Sequence, residues 1–104
     1  MKTIKGLNEK PLPIEENDTT GAAPSFRTML KYSVASTLPQ SGENSIECYQ
    51  VGLKLKQDQD AVQLEDAEFR VLKEACEKNP MRYMAHFHAQ MMMLLKAAEN
   101  GTAA

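Results

Sequence analysis

Apolar residues recur along this chain in four stretches with helical spacing, separated by polar or proline-bearing breaks. Phe26, Met29, Leu30, Val34 and Leu38 follow at three- and four-residue steps, the spacing of one helix face. They predict a helix over 25–38. It opens near Pro24, whose missing N–H has no partner in a first turn anyway. Pro39 ends it, and Gln40-Ser41-Gly42 makes the turn. A second helix is predicted over 45–57, capped by Asn44 or Ser45. Its inward face is read as Ile46, Tyr49 and Leu53 with Gln50 beside them, widened by Cys48, Val51 and Leu55. Gly52 costs about 1 kcal/mol against alanine inside a helix, so a close helix–helix contact is expected there.

The third helix, over 65–78, has the clearest start. Glu65 to Glu68 resembles a capping box with Glu in place of the usual Ser or Thr, and Asp66 is an alternative cap. Phe69, Leu72, Ala75 and Cys76 form its buried stripe, with Leu64 as a staple against Phe69. Asn79-Pro80 then restarts the chain as a cap and a first helical position. The fourth helix is predicted over 80–99, with Asn100-Gly101 as its stop. An unbroken helix through Pro80 is disfavoured by about 3 kcal/mol.

Ahead of these helices, residues 1–14 hold Ile4, Leu7, Leu12 and Ile14 among turn formers and prolines. Thr3-Ile4-Lys5 and the segment around Leu12 read as a short β-hairpin or as an extended arm. Val62 and Leu64 alternate and offer a further short strand that would pair with this N-terminal segment. Residues 15–23 are small and polar, and with 101–104 are expected to be mobile. The fold class is therefore mainly α: a single domain over 1–104, with a four-helix core at 25–99 behind an N-terminal arm or hairpin. The expected core is Phe26, Leu30, Val34, Ile46, Tyr49, Leu53, Leu64, Phe69, Leu72, Cys76, Met84, Phe87, Met91 and Leu94.

Charge narrows the function. The chain carries 12 basic and 14 acidic side chains, a net −2. Between 41 and 78, five basic groups face nine acidic ones, which would repel a phosphate backbone. Nucleic-acid binding is thus the weakest of three function classes. The longest apolar run, Met91 to Leu95, is far short of the roughly 20 residues that span a bilayer. With no continuous apolar run after Met1-Lys2 and only Cys48 and Cys76, the reading is a cytoplasmic protein with free thiols and no membrane partner.

Candidate chemistry is sparse. His86 and His88 are two apart and diverge by about 200° on a helix, whereas a helical zinc pair needs an i,i+4 spacing. Cys48 and Cys76 have no short ligand spacing and sit on apolar faces, as inert structural cysteines do. The acidic stretch 58–69 has no glycine at its centre and so lacks the calcium-loop pattern. No phosphate-binding glycine loop occurs. No catalytic, metal or cofactor residue is assigned.

Methionine is the exception to an ordinary composition. Five of seven methionines, Met81, Met84, Met91, Met92 and Met93, fall in the fourth helix. Three in succession cover about 200° of its girth. Either the helix lies at the centre of the bundle, or part of it meets a partner. The second reading makes Met84, His88, Met91, Met92 and Leu95 an interface, in at least a dimer. A separate acidic face of Glu65, Asp66, Glu68 and Glu74 would suit a small regulator of a basic partner protein.

Lys10-Pro11-Leu12, the Phe26 to Leu30 stretch, Tyr49 to Leu55, Val62-Gln63-Leu64 with Glu68, and the helix from Pro80 occur in an order that resembles short bacteriophage and prophage proteins. Those proteins are mostly of unknown function. The resemblance implies an assembly or accessory role in the host cytoplasm and carries over no catalytic residue. The leading expectation is a non-enzymatic interaction or assembly protein acting as a homo-oligomer.

Overall fold

The computed structural model describes residues 1–12, 24–37, 40–57, 59–78 and 85–101. The described chain runs β1 (Lys2–Ile4), α1 (Phe26–Ala35), α2 (Gly42–Leu55), β2 (Val62–Leu64), α3 (Asp66–Lys78) and α4 (Ala85–Glu99). The class is mainly α, as the apolar spacing predicts.

The starts of α1, α2 and α3 each have a local cause. The Ser25 hydroxyl accepts from the Thr28 N–H at the head of α1. The Ser41 hydroxyl accepts from the Asn44 N–H at the head of α2. That helix therefore begins three residues before the predicted Ser45, because Ser41 supplies the cap that Asn44 and Ser45 were expected to supply. At α3 the Glu65 N–H donates to Glu68 Oε1 at 2.9 Å, the reach-back half of a capping box. Glu65 also accepts the first helical bond, from the Phe69 N–H, so it rather than Asp66 is the cap. Helix α4 stops at Gly101, whose φ of 67° is the left-handed conformation of a helix C-terminus.

The C-terminal end of α1, predicted at Leu38, is reached at Ala35, where the Ser36 and Thr37 N–H groups close the last turn. The break at Asn79-Pro80, the expected core position Met84 and the expected mobile stretch 15–23 lie outside the described residues, as do 102–104. The reversal between α3 and α4 is nonetheless fixed by their packing. Lys73 Nζ and Glu99 Oε2 are 2.7 Å apart across 26 residues. In one continuous helix that span is about 39 Å.

The N-terminal arm does form a strand. Its partner is β2, antiparallel, in the register Lys2↔Leu64, Thr3↔Gln63 and Ile4↔Val62. The segment around Leu12 is not that partner. Past Ile4, a turn at Gly6 (φ 81°) is closed by the Glu9 N–H to the Gly6 carbonyl. The arm then crosses the start of α1, where the Phe26 and Arg27 N–H groups donate to the Glu9 and Leu7 carbonyls. It reaches α4 at Leu12, whose N–H donates to Gln90 Oε1 and whose carbonyl accepts from Gln90 Nε2 and His86 Nε2.

One core joins these parts. It holds Phe26, Met29, Leu30 and Val34 from α1, Val51 and Leu55 from α2, Leu64 from β2, Phe69, Leu72, Ala75 and Cys76 from α3, and Met91, Leu95 and Ala98 from α4. The arm adds Ile4 and Leu7, both buried and neither expected in the core. Phe87 and Leu94 pack against the cluster and are half-buried.

Three expected core residues are not there. Ile46, Tyr49 and Leu53 are exposed. Helix α2 has two apolar stripes about 160° apart: Cys48, Val51 and Leu55 on one side, Ile46, Tyr49 and Leu53 on the other. Only the first faces α1 and α3. Gly52 likewise makes no close helix contact, since a Cβ there would meet nothing within 4 Å.

Candidate functional site

The outward stripe of α2 borders an open groove between α1 and α2. Ile46 is 58% exposed, Tyr49 68% and Leu53 47%. The groove has a volume of about 500 Å³. Val34 and Ala35 of α1 and Cys48, Gly52 and Leu53 of α2 give it an apolar floor, with Tyr49 at its side. Gly52 keeps the groove open, because no side chain projects there and nothing else fills the space. Lys31 and Lys56 stand among its lining residues, which include no carboxylate. Single exposed apolar side chains are ordinary; a stripe of three beside an apolar groove is a patch.

The expected interface on α4 is placed differently. Met91 and Leu95 are fully buried within the chain. Helix α4 packs against β1, α3 and α1, and those elements cover the side that carries both residues. Neither is therefore available to a partner of the folded chain. Met92 is half-buried against the core. His88 is half-buried, and its Nε2 lies 2.9 Å from the Cys76 carbonyl, a structural bond between α4 and α3. Met84 lies outside the described residues. Met93 is the exposed methionine of α4, at 67%.

The acidic face is only partly available. Asp66 pairs with the N-terminal amine at 3.2 Å. Glu68 pairs with Lys54 at 2.7 Å. Partial burial pushes the Glu68 carboxyl up, but hydrogen bonds from Lys54 and the Glu65 N–H outweigh it and hold the group below its ordinary range. Glu65 and Glu74 remain exposed. Half of the expected track thus serves a helix cap and two ion pairs.

The thiols are both free. Burial pushes Cys76 up to about 12; a hydrogen bond with Ser33 works the other way, and the charge of Glu77 adds to the rise. Cys48 is raised by burial and by Glu47. Neither environment favours a thiolate nucleophile. Among the described residues, no three His, Cys, Asp or Glu side chains are placed to hold a metal ion, and no helix is long and apolar enough to cross a membrane.

The groove was not foreseen from sequence. A signal existed: the six apolar side chains of α2, Ile46, Cys48, Tyr49, Val51, Leu53 and Leu55, wrap most of its girth, more than one neighbouring pair of helices can cover. No family model, curated protein or solved structure matches the chain.

Proposed function

We propose that this chain is a non-enzymatic interaction or assembly protein that docks through the outer face of α2 and the groove beside it. The carrying observation is the contiguous exposure of Ile46, Tyr49 and Leu53 next to an apolar floor. Such a face is stabilised when covered, by roughly 25 cal/mol for each Å² of apolar surface removed from water. Tyrosine beside aliphatic side chains and a concave floor is the composition of an interface centre. The resemblance to short phage proteins supports an assembly or accessory setting for this contact, in the cytoplasm of a host cell.

A photo-crosslinking side chain placed at Tyr49 tests the reading. In the cells that encode the protein it should give a discrete adduct, and the same group at exposed Glu74 should not. Absence of an adduct at position 49, or equal adducts at both, contradicts the proposal.

A further inference from the structure

We infer that the occupant of this face is a second copy of the same chain, with α2 set antiparallel to its twin across a two-fold axis near Tyr49 and Gln50. The inference rests on reading the face as a docking surface. Three observations select a self-contact among possible partners.

The first is shape. A protruding stripe and a groove lie side by side on one face, with Tyr49 and Leu53 bordering both. A two-fold axis between them seats each stripe against the groove of the other copy. One patch then meets itself, as in any isologous dimer.

The second is charge along the stripe. Exposed Glu43 stands at the N-terminal end of α2 and exposed Lys56 just past its C-terminal end. With the axis near Tyr49 and Gln50, Ile46 lies level with Leu53 of the other copy, and Glu43 level with Lys56. A parallel arrangement instead brings Glu43 to Glu43 and Lys56 to Lys56, which is repulsive at both ends. Lys54 does not enter this balance, because it is already paired with Glu68 in its own chain.

The third is area. The three exposed residues present on the order of 350 Å² of surface per copy, most of it apolar, at ordinary residue sizes. With the groove walls, two copies bring together about 1,000 Å², the lower limit of a specific contact. An interface of that size sits at the weak, transient end of specific contacts, so the dimer should dissociate on dilution.

Sedimentation velocity of the full chain between about 1 and about 200 µM tests this. The expected result is a shift from 11.6 kDa to twice that mass. Tyr49→Glu should abolish the shift with an unchanged circular dichroism spectrum. Glu43→Lys should weaken association about tenfold, and adding Lys56→Glu should restore it, since the pair is then swapped. A Glu43→Lys effect that Lys56→Glu does not rescue overturns the antiparallel register, as does no effect at all. A chain that stays at 11.6 kDa throughout overturns the self-contact. If position 49 then still crosslinks in cells to a protein of another mass, the docking reading stands without it.

Discussion

Helices α2 and α4 are both richer in apolar side chains than one buried stripe requires, yet the fold treats them in opposite ways. Helix α4 packs against β1, α3 and α1, its Met91, Leu95 and Ala98 complete the core, and Met93 is the large apolar side chain it leaves in solvent. Helix α2 lies against α1, α3 and β2 and leaves Ile46, Tyr49 and Leu53 in solvent. The difference lies in position rather than composition. The N-terminal arm reaches α4 and supplies Ile4 and Leu7 as cover, while the far side of α2 borders an open groove. Methionine content is therefore a poor guide to which apolar face of this protein stays exposed. A second apolar stripe on an already packed helix is a better one.

The largest expected effect separates the two helices directly. Leu95→Ala removes a fully buried side chain and should cost about 2–5 kcal/mol of unfolding free energy. Leu53→Ala, on a half-exposed side chain of α2, should cost under about 1 kcal/mol. Urea titration followed by circular dichroism, at a concentration where the chain is dilute, measures both. Comparable losses would erase the distinction between core and face.

Smaller changes sharpen the account of α2. Glu68→Ala removes both the bond to the Glu65 N–H and the partner of Lys54, and should cost about 1 kcal/mol. Gly52→Ala should gain about 0.5–1 kcal/mol, because a Cβ meets nothing within 4 Å there and alanine is the better helix former. A loss at Gly52 would mean that another surface comes close to it within the folded chain.

The smallest expected effect is on pH. Hydrogen bonding to Lys73, chiefly, holds Glu99 below its ordinary carboxyl value of 4.5, against a weaker opposing effect of burial. Glu68 is also held low. Both carboxyls are depressed on folding, so their contribution is complete above about pH 4.5 and fades as the pH falls through their lowered native values. Thermal midpoints should be flat from about pH 7 to about pH 5 and fall below about pH 4.5. Glu99→Gln should flatten part of that fall. Because Glu99 ties α4 to α3 and Glu68 ties α3 to α2, the two variants report on opposite sides of α3.

Where the local pattern was unambiguous, sequence reading reached the fold. The α1 stripe from Phe26 to Val34, the α3 stripe with its Glu65–Glu68 start, and the Asn100-Gly101 stop each depend on residues a few positions apart. The pairing of Ile4 with Val62 is a long-range contact and has no local signature beyond alternation. The face of α2 failed for a different reason. Its two stripes satisfy the same three- and four-residue spacing, and only the placement of α1 and α3 decides between them. The groove was invisible for the same cause, since Val34, Ala35, Cys48 and Gly52 come together only through that packing.

Hydroxyl-radical footprinting across a dilution series tests the central claim most directly, because it reads the exposure of both helices in one sample. At about 1 µM, Tyr49, Ile46 and Leu53 should label readily, Met93 should oxidise, and Met91 and Leu95 should be protected. At about 200 µM, protection should appear at Tyr49, Ile46 and Leu53 and leave Met93 unchanged. Labelling of Met91 as fast as Met93, or strong protection of Tyr49 even at the greatest dilution, would contradict the account.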